Sequence, residues 1–330
     1  MEKYQDNTLI EEIRPSLYRC KIPLPDSPLK YLNAYMIKSR DRHLVVDTGL
    51  NREECYAAMQ RGLQALDIDL DRTDFFITHL HADHFGLVGR LLSTESRLFF
   101  NRPEKELIET WEGFEPMIAF AGKNGFPQND LRSAINAHPG NRFGSDWIPD
   151  LEALSDGDTI AVGAYSFQCI ETPGHTLGHT CLYEPTEKLL IAGDHLLIDI
   201  TPNIQCWSDN ENPLKNYLNS LDKVHDLDVA MVLPGHRRLF ENHRQRIDEL
   251  KYHHQCRLEE ICRILEPGIP KHAYQVASEM TWDIKCDTWE AFPIAQKWFA
   301  TGEAIAHLNY LEKSGRISRA DAAETIQYTR

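Results

Sequence analysis

Three imidazoles and one carboxylate crowd the run Thr78-His79-Leu80-His81-Ala82-Asp83-His84-Phe85-Gly86, directly after the apolar stretch Phe75-Phe76-Ile77. Imidazole nitrogens and carboxylate oxygens are the donors that hold zinc, iron and manganese, so this is the composition of a transition-metal site. Side chains alternate along an extended segment, so His79 and His81 project to one side, and a turn after Ala82 swings Asp83 and His84 around. Two groups of ligands then face two different points.

One strand and its turn cannot close a coordination sphere alone. Three later stretches offer the rest. In Glu171-Thr172-Pro173-Gly174-His175-Thr176-Leu177-Gly178-His179-Thr180, a proline and two glycines hold a tight turn with His175 at its tip. Leu189-Leu190-Ile191-Ala192-Gly193-Asp194-His195 is an apolar strand ended by glycine and then aspartate, and Val229-Ala230-Met231-Val232-Leu233-Pro234-Gly235-His236 repeats the design with a histidine. Each stretch is an apolar strand stopped by a turn residue, with His or Asp following. Their polar ends should gather at one edge of a sheet, where ligands of open α/β sheets collect.

In these four motifs the chain resembles the metallo-β-lactamase superfamily, in its glyoxalase II-like and lactamase-like branch, over about residues 15–240. The resemblance implies an α/β fold, a four-layer αββα metallo-hydrolase sandwich. It implies that His79, His81 and His175 hold one divalent metal ion, that Asp83, His84 and His236 hold a second, and that Asp194 bridges them. It makes His179 a structural neighbour rather than a ligand, and Asp47, in Val45-Val46-Asp47-Thr48-Gly49, a support behind a ligating histidine. Two such cations lower the pKa of a water toward neutrality and polarise a carbonyl or phosphoryl oxygen, so the implied nucleophile is a bridging hydroxide. Asp83 is then a ligand that also orients that nucleophile and accepts its proton. His195 is a second catalytic candidate, for protonating the leaving group, with packing beside the sheet as the alternative. Arg237 and Arg238 could meet a substrate carboxylate or phosphate, or lie in solvent. A ligand set of His and Asp without thiolate makes zinc the expected metal and leaves iron and manganese compatible.

Composition sets outer bounds. A chain of 330 residues, 42% hydrophobic, is long enough for one large domain and a smaller one. No apolar run is long enough to span a bilayer, and the start Met1-Glu2-Lys3-Tyr4-Gln5-Asp6 lacks an apolar signal segment, so a cytoplasmic protein is expected. The eight cysteines show no C-x-x-C spacing and read as reduced thiols, with Cys256 and Cys262 as packing residues on one helix. A net charge of −15 opposes polyanions, which disfavours nucleic acid without excluding it.

Domain organisation follows from changes in pattern. Residues 1–243 read as the catalytic domain and 244–330 as a smaller, mainly helical one. Ile247, Leu250, Leu258, Ile261 and Leu265 mark a long amphipathic helix ended at Pro267-Gly268; shorter helices follow at 272–280 and 294–313, then a hairpin over 316–328. The segment AIAHLNYLEKSGRI resembles the third helix of winged-helix modules. Trp282, Trp289, Phe292, Trp298 and Phe299 favour packing or homodimer formation there over nucleic-acid binding. The long segment 101–149, rich in Trp111, Phe114, Met117, Ile118, Phe120 and Phe126, reads as a helical cap insertion, either a lid over the site or a satellite core. The loop from Ile200 to Trp207 is a second candidate for the pocket, and Asn33 is without an assigned role.

Together these features predict a hydrolase of a small ester-like molecule, first a thioester, because a thiolate leaves without a dedicated acid. A lactonase is the nearest alternative, weakened because His195 stands where lactonase relatives carry tyrosine. A phosphodiesterase or endoribonuclease, and a di-iron oxidoreductase or persulfide dioxygenase, are the more distant ones.

Overall fold

A computed structural model describes residues 9–145, 150–265, 268–322 and 325–330. The first residues, on which the expectation about a signal segment rests, the last part of the expected insertion (146–149) and Pro267, the expected helix stop, lie outside the described residues.

Seven strands form the first sheet in chain order: β1 (Ile10–Arg14), β2 (Leu17–Pro23), β3 (Tyr31–Ile37), β4 (His43–Val46), β5 (Thr73–Phe76), β6 (Leu98–Asn101) and β7 (Glu152–Leu154). Pairing is antiparallel from β1 to β4 and parallel from β4 to β7. The parallel half needs crossovers, supplied by α1 (Glu53–Ala65), by the short helices α2 (Ala82–Phe85) and α3 (Val88–Leu91), and by the insertion. The second sheet comprises β8 (Thr159–Val162), β9 (Tyr165–Glu171), β10 (Thr180–Glu184), β11 (Leu189–Gly193) and β12 (Met231–Pro234), in the order β12-β11-β10-β9-β8. Its one parallel pair, β11 with β12, is joined through α8 (Pro213–His225).

Strand periodicity assigns each residue to a layer. Tyr35, Ile37, Leu44, Val46 and Phe76 of the first sheet meet Phe167, Leu182, Leu189, Ile191 and Leu233 of the second in the central core. Their chain neighbours Ala34, Met36, Val45 and Phe75 face outward onto Met59, Leu63 and Val88 of the first helical layer. Leu190, Ala192 and Val232 face the other way, onto α8 and onto the carboxyl-terminal helices α9 (His243–Ile264), α10 (Ala273–Glu279) and α11 (Ile294–Lys313). The result is the four-layer αββα sandwich.

The core does not stop at residue 243. Leu221 and Val232 share one buried cluster with Ile247, Leu258, Ile305, Leu308 and Tyr328. The terminal hairpin, β13 (Ser318–Ala322) with β14 (Thr325–Thr329), turns Tyr328 inward, and Lys271 bridges to it. Helix α11 is buried along most of its length, from Trp298 to Leu311. Of the two cysteines expected to pack on α9, Cys262 does, but Cys256 is exposed. It lies one helical turn after Tyr252, itself 72% exposed, on the outer face of the helix.

The insertion folds as α4 (Arg102–Glu109), α5 (Glu115–Lys123), α6 (Gln128–Ala137) and α7 (Pro139–Phe143). Its core of Ala121, Phe126, Leu131, Ala134 and Ile135 closes around Trp298 of α11, whose ring stacks on Trp207 at 4.1 Å between centroids. Trp111, by contrast, is 46% exposed.

Candidate metal centre

Each sequence motif ends where a strand does. His79 to His84 follow β5, His175 sits in the turn between β9 and β10, Asp194 follows β11, and His236 follows β12. The backbone after Ala82 closes a helical turn, α2, and this rotates Asp83 and His84 away from His81. Gly193 precedes Asp194 with φ 46, and a Cβ there would stand 2.6 Å from His179 Nε2. Only glycine lets the two strands' ends close so tightly.

The seven side chains converge in three overlapping groups: His79, His81 and His175; His79, His84 and Asp194; Asp83, His84 and His236. His81 Nδ1 faces both His79 Nε2 and His175 Nε2, each at 3.0 Å. In the other group His236 Nε2 lies 3.3 Å from Asp83 Oδ2. Asp194 stands between: Oδ1 is 3.6 Å from His84 Nε2, and Oδ2 is 3.7 Å from His175 Nε2 and 3.5 Å from His236 Nε2. Donors about 2.0–2.1 Å from one cation in tetrahedral array lie roughly 3.3–3.4 Å from each other, so this spacing suits groups that hold metal ions. A second observation agrees. His84 Nε2, Asp194 Oδ1 and His236 Nε2 are buried without a hydrogen-bond partner, a state that costs free energy unless a cation completes it.

The far nitrogens of the ligand histidines are held from behind. His84 Nδ1 donates to Asp47 Oδ2 at 2.8 Å, and Asp47 is held in turn by the Thr78 backbone N–H at 2.9 Å. His175 Nδ1 donates to the Asn203 carbonyl at 2.8 Å, His236 Nδ1 to the Tyr31 carbonyl at 2.9 Å, and His79 Nδ1 lies 3.0 Å from Thr78 Oγ1. These bonds fix tautomers that leave Nε2 with its lone pair toward the centre. His179 is not in any ligand group; its Nε2 accepts the Asp194 backbone N–H at 3.0 Å, and its Nδ1 meets Thr172 Oγ1. Asn33 acquires a role: Nδ2 donates to the carbonyls of Pro234 and Arg237, both at 2.9 Å, while Tyr35 OH donates to Pro234 O at 2.8 Å. These residues hold the His236 turn by its backbone, which leaves no spacing signal in sequence.

Charge is sorted within the cluster. Burial disfavours charge on Asp83 and Asp194, yet the facing His84 and His236 hold both carboxyls below the usual range. Burial likewise opposes a proton on His236, but Asp194 and Asp83 outweigh it and hold the pKa up to about 10. His81 has no such excess of anions and is pushed down to about 3, first by burial and then by His175. Without a cation the group around His236 is thus a proton-filled copy of a metal site.

Other candidates lie elsewhere. His195 is fully buried, packed edge-on to Tyr217 at 5.4 Å and behind His179 at 6.1 Å. The turn that follows β11 buries it beneath the second sheet, packed on Tyr217 and outside the three ligand groups. Burial pushes its pKa down to about 3. Arg238 pairs with Asp199 at 3.1 Å with both side chains exposed, and Arg237 donates to the Pro28 carbonyl. The loop from Ile200 to Trp207 does border the site, through Asn203.

The pattern of the metallo-beta-lactamase superfamily matches residues 29–236, and that of a metallo-beta-lactamase-like C-terminal domain matches 290–330. A metallo-beta-lactamase family protein of Thermus thermophilus superposes with a TM-score of 0.80 at 29% identity, covering 97% of this chain and 100% of that one. The probable metallo-hydrolase YqjP of Bacillus subtilis is 25% identical over 311 residues, 89% of this chain and 92% of that protein. The acyl-coenzyme A thioesterase MBLAC2 of Bos taurus is 24% identical over 222 residues, 63% of this chain and 74% of that protein. Sandwich, strand-end histidines and carboxyl-terminal helices therefore share one origin: this chain belongs to the metallo-beta-lactamase superfamily.

Proposed function

We propose that this protein is a dinuclear metal-dependent hydrolase of a small ester-like substrate, and that the substrate is a thioester. The observation that carries the reading is Asp194, whose carboxylate faces His175 of one group and His84 and His236 of the other. His79, His81 and His175 would hold one cation, Asp83, His84 and His236 the other, with zinc the metal best suited to this donor set. When bound, two such cations supply Lewis acidity and a lowered pKa for water.

The chain's own residues do the rest. Asp83, ionised and with 19% of its side chain exposed, is placed to orient the attacking water and take its proton. Attack at the acyl carbon forms the new C–O bond, and the C–S bond breaks to release a thiolate. A thiolate, with a reference pKa near about 8.5, leaves without a proton, whereas an alkoxide needs one. With His195 turned into the core, the arrangement suits the leaving group that needs no acid. The named activity of the bovine relative supports the same choice.

Purified protein, analysed for metals and then assayed on short acyl-coenzyme A thioesters, lactones and RNA, tests the reading. About two metal equivalents and thioester turnover at least about tenfold above the other substrates are expected; one equivalent, or faster cleavage of RNA or lactone, overturns it.

A further inference from the structure

The two ligand groups share Asp47, which holds His84 directly and reaches His79 through Thr78 Oγ1, but the rest of their bracing comes from different parts of the chain. Behind His84 and His236 stand Asp47, just past β4, and the Tyr31 carbonyl at the start of β3, both in the first sheet. Behind His81 and His175 stand two carboxylates that no sandwich strand provides.

Glu104 is the first. It lies in the opening turn of α4, is fully buried, and accepts the Gly178 backbone N–H at 3.2 Å through Oε1. Its carboxylate also faces the backbone N–H of Leu80, the residue between His79 and His81. Asn101 Nδ2 fixes the other oxygen at 2.9 Å, and Asn101 Oδ1 caps the helix at the Glu104 N–H. One buried carboxylate thus ties the loop that carries His79 and His81 to the loop that carries His175. The approach is tight enough that a Cβ on Gly178 would stand 1.8 Å from Asn101 Oδ1.

Glu303 is the second, on α11. Its Oε2 accepts Asn203 Nδ2 at 2.6 Å, and Asn203 is the residue whose carbonyl takes the His175 Nδ1 proton. Arg257 of α9 lies 4.0 Å from the other carboxylate oxygen. A carboxylate is an expensive way to fill space in a protein interior, since an apolar side chain of the same volume avoids desolvating charge. Glu104 holds the backbone beside His79 and His81 and the loop of His175, and Glu303 holds the Asn203 that accepts from His175.

We propose that Glu104 and Glu303 are positioning residues for the His79, His81 and His175 cation site alone, so that the insertion and the carboxyl-terminal helices govern how tightly the first cation is held while the sandwich governs the second. The proposal rests on the dinuclear reading above.

Full-length protein stripped of metal and titrated with zinc(II) against a chromophoric chelator tests it. Wild type should show two binding classes. Glu104→Leu and Glu303→Leu should each weaken one class about 10- to 100-fold and leave the other within about twofold. Asp47→Ala, which removes a direct bond to His84 but only an indirect one through Thr78 to His79, should weaken the opposite class the more. Glu104→Gln and Glu303→Gln, which keep one acceptor oxygen, should recover most of the affinity and remain about three- to tenfold below wild type. Cobalt(II) gives a second readout: the visible spectrum of the class lost in the leucine variants should shift, with that of the other class unchanged. Leucine variants that bind both equivalents as wild type does, or that weaken both classes equally, overturn the proposal. Should a leucine variant not be recovered folded, the glutamine variants decide, and a first class of wild-type affinity in them overturns it. A wild type that takes up a single equivalent defeats the dinuclear reading instead, so the two failures are distinguishable.

Discussion

Asp194 stands between the ligand groups because its Oδ2 meets both His175 of the first and His236 of the second, while Oδ1 meets His84 of the second. Asp194→Ala should therefore drop metal content from about two equivalents to one or fewer and reduce turnover by about a thousandfold or more, measured by elemental analysis and steady-state assay. Retention of both would remove the bridging role. Proton linkage gives a second expectation. In the metal-free protein His236 keeps its proton up to about pH 10, and a cation must displace it. His81, held down to about 3, is already neutral and has no proton to lose. Raising the pH from about 6 to 8 should tighten the second site, by up to about tenfold per unit for each proton displaced, and leave the first unchanged. Zinc competition titrations across that range, with calorimetry in buffers of different ionisation enthalpy, would show equal slopes for both sites if the sorting of charge were wrong.

Helix α11 packs on the insertion with Ile294, Trp298 and Phe299. Trp298 is fully buried, stacked on Trp207 and 5.5 Å edge-on to Phe126. Trp298→Ala should cost about 3–5 kcal/mol, read from the midpoint of denaturant unfolding, and loosen the insertion first. Little effect would mean that α5 and α6 hold together without it. Helix α9 has the opposite character on its outer face. Native protein should react with an aromatic disulfide reagent at Cys256 first and at the half-buried Cys286 more slowly, with the buried thiols, such as Cys20 and Cys181, both pushed up to about 12, silent until unfolding. Mass mapping of the labelled peptides checks the order. The packing role expected for Cys256 fails because periodicity locates a helix but fixes its face only within a residue or so, and Cys256 stands on the solvent side of Leu258 and Cys262.

At the scale of the molecule, the second sheet, α8 and the carboxyl-terminal helices bury one continuous apolar cluster. A chain ended at Asn242 would expose Leu190, Val232 and Leu221 together. Such a truncation should be insoluble or lack a cooperative unfolding transition, and a soluble, zinc-binding fragment would show that the sandwich closes alone. Among the described residues, no helix is long and apolar enough to cross a membrane. What the sequence determined by itself was local: apolar runs that make strands, glycine and proline that stop them, and the His or Asp placed directly after each stop. From such placement it was legible that His79, His81, Asp83, His84, His175, Asp194 and His236 meet at one edge, since each donor sits just past the end of a strand. Apart from Asp47, expected from the resemblance, tertiary structure alone decided the partners behind them. Asn33, Glu104, Asn203 and Glu303 act across 28 to 204 residues of chain, from the Asn203 to His175 bond to the Asn33 to Arg237 bond, and no periodicity records such a pairing. The same holds for His195, whose place beside Asp194 suggested the site, while the tight turn after β11, closed by the His195 N–H on the Ala192 carbonyl, packs it against Tyr217 in the core.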